Sequence, residues 1–116
     1  MTMPRRPKYP SQVIIRIPKD VVNVYETNIF ELIFSKEEAR IAQIIVEYIK
    51  KNERLYPDEY KEFITTPSDR ARYFRVLRKM VSLGMLKRGK EGSYILSDEF
   101  AHKLGAMIEN WRAILR

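Results

Sequence analysis

The sequence predicts a mainly α-helical protein with a small β-wing. Three observations lead there. Apolar residues recur at helical spacing from Ser35 onward, start and stop residues bracket each such stretch, and one pair of short β-prone segments flanks the turn GKEG at 89–92. With 116 residues, 45% of them hydrophobic and 32% charged, the chain is expected to form one globular unit.

Residues 1–11, MTMPRRPKYPS, carry three prolines and three bases and no aliphatic residue other than two methionines, so they read as a flexible basic arm. Residues 12–34 form an N-terminal extension expected to pack on the first long helix. Within it, QVIIRI at 12–17 is β-branched and reads as a short strand ending at Pro18, whereas residues 19–34 fit either strand or, around NIFELIF, a helical turn. Ser35 and Glu38 form a capping box that opens a helix over about 35–51. Its polar residues occupy one narrow stripe, so it needs cover on two sides.

Pro57 is expected to start two short turns through DEYKEFI, which Thr65-Thr66-Pro67 ends. Ser68 is then expected to cap a third helix reaching Leu83, with Gly84 as its left-handed stop. Met85–Arg88 and Ser93–Leu96 are the strand candidates. Ser97-Asp98-Glu99 opens a last helix, so residues 97–116 form a separate C-terminal element after a body of residues 35–96.

Composition narrows the chemistry. The chain has no cysteine and one histidine, His102, which excludes a disulfide scaffold, a thiolate metal site and a cysteine nucleophile, and disfavours a histidine-based metal site or triad. The acidic pairs Glu37-Glu38 and Asp58-Glu59 lie at helix starts, where the dipole favours them, and nothing converges on them. The protein is therefore expected not to be an enzyme and to need no cofactor or metal, and no small-molecule ligand is evident. No apolar run approaches the roughly 18 residues of a membrane span and no signal peptide is visible, so a cytoplasmic, nucleoid-associated location is expected.

The net charge of +7 is unevenly spread: +5 over residues 1–19, −4 over 20–66, +6 over 67–92 and zero over 93–116. Two basic blocks around an acidic one suggest a surface directed at a polyanion. The third helix carries this pattern furthest. At about 100° per residue, Tyr73, Phe74, Val76, Leu77, Met80, Val81 and Leu83 share one half of it. Ser68, Ala71, Arg72, Arg75, Arg78, Lys79 and Ser82 share an opposite arc without one acid. An ordinary solvated face would mix glutamate with lysine, so the counter-charge is expected to come from outside the molecule. Arg72 and Arg75 lie in the first half of the helix, and an arginine fork can bond guanine O6 and N7 together. Past Gly84, Lys87, Arg88 and Lys90 flank a glycine-rich tip suited to phosphates.

The residues AQIIVEYIKKN, PDEYKEFI and SDRARYFRVLRKMVSLGMLKRGKEGSYILS, in that order, resemble a winged helix-turn-helix DNA-binding domain over about residues 36–97. The resemblance implies that Ser68–Lys79 is the recognition helix and Lys87–Ser93 the wing. It carries DNA contact onto Ser68, Arg72 and Arg75, with Lys87, Arg88 and Lys90 as wing cations. Arg70 is placed to reach phosphate, and Arg78 and Lys79 extend the basic face. The 12–34 extension is not part of the minimal domain, and the Thr65-Thr66-Pro67 turn is stiffer than usual. Arg5, Arg6 and Lys8 are candidate contacts from the arm. Residues 12–51, QVIIRIP then SKEEARIAQIIVEYIKK, also resemble a ribbon-helix-helix pattern, in which Gln12, Ile14 and Arg16 would read the groove. Against this, the 35–51 helix is needed as the first helix of the winged domain.

In the last helix Phe100, Leu104, Met107, Ile108, Trp111, Ile114 and Leu115 recur at three- and four-residue steps, a coiled-coil-like seam. Either it folds back on its own domain or it joins two chains. The expectation adopted is a homodimer through Leu104, Met107, Ile108, Trp111, Ile114 and Leu115, or through residues 12–34, presenting two recognition helices roughly 34–36 Å apart. The function expected is sequence-specific binding of double-stranded DNA by a transcriptional regulator. The alternative is a winged-helix interaction or architectural module of a replication, partition or transcription assembly.

Overall fold

A computed structural model describes residues 28–116. The basic arm, the 12–17 strand and the candidates Arg5, Arg6 and Lys8 lie outside the described residues, as does most of the extension. The described part is mainly helical, with a two-stranded antiparallel sheet. It comprises α1 (Ile29–Ile33), α2 (Lys36–Asn52), a 3₁₀ turn (Glu59–Glu62), α3 (Pro67–Leu83), β1 (Leu86–Arg88), a second 3₁₀ turn (Lys90–Gly92), β2 (Tyr94–Leu96) and α4 (Glu99–Leu115).

The end of the ambiguous 19–34 segment is helical. The Asn28 side chain accepts the Phe30 N–H at 2.8 Å, which starts α1. Ile33 and Phe34 are buried against α2. Ser35 caps α2 as its sequence indicates, its Oγ accepting the Glu38 N–H at 3.3 Å. The Glu38 carboxylate turns back on the cap: its Oε1 accepts the Ser35 hydroxyl proton at 3.0 Å, the Ser35 backbone N–H also stabilises it, and its other oxygen faces Lys79.

Helix α2 is the centre of the core. Its Ile41, Ala42 and Ile45 are fully buried, with α1, α3 and β2 packed around it. The segment after α2 is a 3₁₀ turn, not two helical turns, and Pro57 precedes it instead of starting it. Aromatic contacts hold this turn down. Tyr60 stacks on Tyr73 with ring centroids 5.0 Å apart, and Phe63 meets both Tyr48 and Tyr73. The Tyr48 hydroxyl donates to Glu59, which also accepts the Tyr56 N–H at 2.7 Å.

Helix α3 begins two residues earlier than the sequence suggests. Thr66 is its cap, its hydroxyl accepting the Asp69 N–H at 3.1 Å, and Pro67 occupies the first helical position. Proline lacks the N–H that would be orphaned there, so Thr-Pro opens the helix and Ser68 falls inside it. The inner face of α3 presents buried Tyr73, Val76, Leu77 and Met80.

Gly84 ends α3 at φ +84°, donating to Val81 and pinning α4, since the Phe100 N–H donates to its carbonyl at 3.1 Å. A Cβ here would lie 3.1 Å from both Glu99 Cβ and Phe100 N. Gly84→Ala therefore combines left-handed strain of about 1–2 kcal/mol with displacement of the start of α4. Denaturant titration should give a loss at or above the upper end of that range with an unchanged m-value.

Strands β1 and β2 pair Leu86 with Leu96, Lys87 with Ile95 and Arg88 with Tyr94. Each is one residue shorter than its sequence candidate. Leu55 bonds Tyr94 from the other side through two backbone bonds of 2.9 and 2.8 Å, so the hairpin is sutured to the end of α2. Its tip turns through left-handed Glu91 and Gly92. Among the described residues helix α4 is tied to the body at its base: Phe100 packs on the core and Lys103 Nζ reaches the Ser82 carbonyl at 3.1 Å. Every residue from Ala106 to Arg116 is exposed.

Candidate nucleic-acid interface

The outer face of α3 brings most of the candidate residues together. Ser68 and Arg75 are exposed, while Arg72, Arg78 and Lys79 are half-buried. Behind them Tyr73, Val76, Leu77 and Met80 fix the helix against the core, so the position of this face is set by packing, not by its own charges. Lys87 and Arg88 follow on β1 and Lys90 at the hairpin tip, all exposed. The Arg88 guanidinium lies 4.4 Å above the Tyr94 ring, which restricts its rotamers.

The face is not purely cationic, which corrects the reading of α3 as a helix without internal counter-ions. Arg72 Nη1 lies 3.2 Å from Asp69 Oδ1, and Lys79 Nζ lies 3.4 Å from Glu38 Oε2. The first pair lies along α3 itself at the (i, i+3) spacing. The second crosses from α2, where the sequence shows Glu38 only as a capping residue. Arg75 and Arg78 differ: among the described residues neither has an ion-pair partner. Arg70 stands apart from the basic face. Its guanidinium sits 5.9 Å over the Tyr60 ring and lines an open groove of about 600 Å³ with Pro67, Phe74 and Thr66.

One cation was not found by sequence reasoning. Arg40 of α2 lies 3.0 Å from Asp69 and 3.6 Å from Glu37, at the amino-terminal half of α3. It reads as part of the solvated stripe of α2, and only the packing of α2 on α3 carries it to the interface. Asp69 thus holds two guanidiniums on one carboxylate oxygen, from residues 29 and 3 positions away.

Both carboxylates are shifted toward their charged forms. The Arg40 hydrogen bond is the largest influence on Asp69; partial burial opposes it, and the charges of Arg40 and Arg72 complete a net lowering. For Glu38, burial raises the pKa, but the Ser35 hydroxyl and the Lys79 ammonium together outweigh it and hold the group below its ordinary value of 4.5. A carboxylate with a lowered folded-state pKa adds stability above its unfolded pKa, and this is lost as pH falls through the folded value. Melting temperature should therefore fall on acidification below about pH 4.5. Glu38→Gln should make that fall shallower. The same substitution removes the carboxylate partner of Lys79 and leaves its ammonium 5.8 Å from the centre of the Phe34 ring.

Among the described residues no helix is long and apolar enough to cross a membrane. No curated protein and no solved structure matches the chain. A family model described as an archaeal family matches residues 24–116, which takes in every described element. The chain therefore belongs to that archaeal family.

Proposed function

We propose that residues 35–96 are a winged helix-turn-helix domain and that the protein is a sequence-specific, double-stranded-DNA-binding transcriptional regulator of the cytoplasmic nucleoid, acting as a pair of chains. Helix α3 enters the major groove, and the β1–β2 hairpin sets Lys87, Arg88 and Lys90 on the phosphates. The 3₁₀ turn Glu59–Glu62 stands where the second helix of the motif would run. One observation carries the reading: α3 is clamped on its apolar side and presents Arg75 and Arg78 outward without a carboxylate partner among the described residues, directly before a basic hairpin.

The ion pairs at Arg72 and Lys79 weaken this reading less than their number suggests. Partly exposed pairs of this kind are worth about 0–1 kcal/mol. A bidentate arginine–guanine contact discriminates by about 1–3 kcal/mol, so exchange of Asp69 for a base edge is favourable. Before binding, Asp69 also restrains the Arg72 side chain, lowering the entropy lost on contact.

The test is selection of bound sequences from a random duplex pool, with the intact chain and with an Arg72→Ala, Arg75→Ala double variant. A motif enriched by the intact chain and lost in the variant supports the reading. Equal enrichment by both would sink it. Weak, sequence-indifferent binding by the intact chain would favour an interaction or architectural module instead.

A further inference from the structure

Helix α4 contains no buried residue, and its apolar seam faces solvent. Met107, Ile108, Trp111, Ile114 and Leu115 are each more than half exposed, at 56, 52, 59, 71 and 68%. An isolated helix of this length is marginal in water, and helices in proteins owe most of their stability to a packed apolar face. The last three turns of α4 have no such packing within the described residues.

We infer that α4 pairs antiparallel with the α4 of a second copy, crossing near Gly105 and Ala106, so that the partner's Trp111 seats beside Phe100. This deepens the two-copy part of the proposed function and is independent of what α3 binds. Three observations lead to the second copy and to this orientation.

The first is charge. At 100° per residue Asp98, Glu109 and Arg116 lie on the side of α4 opposite the seam and Arg112 is paired with Glu109 at 3.1 Å, so the seam itself carries no charged residue that would oppose a second apolar helix. Opposed macrodipoles favour the antiparallel direction.

The second is shape. At the base of α4 a groove of about 220 Å³ is lined by Ile29, Phe30, Val46, Met85, Phe100 and Ala101. A cavity of roughly 150 Å³ lined by such residues accepts a benzene ring, so this groove has room for an aromatic side chain. A crossing near Gly105 brings the partner's Trp111 level with Phe100, at the mouth of the groove, and sets Leu104 against the partner's Met107.

The third is area. On the scale of 150–250 Å² for a whole aromatic side chain, five half-exposed large residues from each copy supply on the order of 1,000 Å². With the two grooves added, the contact reaches the range of stable protein interfaces.

The test uses the full chain without DNA, so its outcome is separate from that of the recognition reading. Sedimentation should give twice the chain mass at micromolar concentration. The chain has one tryptophan, so its emission should shift to the blue as concentration rises and the dimer forms. Trp111→Ala, which touches no buried residue of the body, should keep the helical circular dichroism and weaken association about tenfold or more.

Orientation is read in the cysteine-free background with a short bifunctional maleimide. Ala101→Cys mixed with Ile108→Cys should cross-link. Each alone should cross-link far less, because the equivalent positions then lie about 13.5 Å apart along the axis for Ala101 and about 7.5 Å for Ile108. Self-cross-linking of each single variant as strong as that of the mixture would mean parallel pairing and would overturn the proposal. So would a monomeric mass at every concentration, whether Trp111 emission is that of an exposed or of a covered indole. The covered case would assign the seam to residues 1–27 of the same chain.

Discussion

Replacing Arg72 and Arg75 together with alanine is expected to lower affinity for a selected duplex by about 100-fold, or roughly 2.7 kcal/mol. Two arginine contacts to base edges, at about 1–3 kcal/mol each, set the scale. The lower half of the combined range is expected because Arg72 leaves Asp69 in order to bind, and the single variants should divide unequally, with Arg75→Ala costing more. Titration of a labelled duplex at fixed salt measures this. The loss should be largest on the selected sequence and small on random duplex. Lys87→Ala and Lys90→Ala should behave the other way, weakening all duplexes alike and reducing the salt slope by about one each. If all four substitutions acted alike, α3 would contribute charge but no reading of sequence.

Ile45→Ala is expected to be the most damaging single substitution for stability. Ile45 is wholly buried in the middle of α2, the helix that touches α1, α3 and β2. Removing a buried isoleucine to alanine costs about 2–5 kcal/mol, through lost transfer energy and the cavity left behind. A domain of this size has about 5–15 kcal/mol in total, so a large share of it is at stake. At roughly 4 °C per kcal/mol, melting should drop by about 8–20 °C. Ile45→Val, which keeps most of the volume, should cost only about 0.5–1.5 kcal/mol. Scanning calorimetry of the three proteins checks both figures. A drop of only a degree or two in the alanine variant would mean that α2 is not the centre of the core.

The helical elements were legible because their signals are local. Ser35 and Gly84 are punctuation that acts within one turn, and the apolar spacing of α2 and α3 reports burial whatever lies opposite. The boundary errors have local causes too. Ser68 competes as a cap with Thr66, and the choice falls to Thr66 because Pro67 suits only the first helical position. The DEYKEFI segment reads as two short turns from its sequence, yet its 3₁₀ form depends on Tyr48 and Tyr73 reaching it from two other elements.

For the candidate interface the division is sharper. The sequence by itself determined that the third long helix has an apolar side and a basic side, that a basic hairpin follows it, and that the last helix carries an unbroken apolar seam. Asp69 and Arg72 were also within its reach, being three residues apart on one helix. Only the tertiary structure decided which cations stay unpaired. Glu38 meets Lys79 across 41 positions, and Arg40 meets Asp69 across 29. Such encounters depend on the angle and register at which α2 crosses α3, and ridge-into-groove packing of many side chains sets these. The exposure of the α4 seam has the same origin: periodicity reports that a face is apolar, but whether the chain bends back to cover it depends on how Gly84 and Phe100 aim the helix.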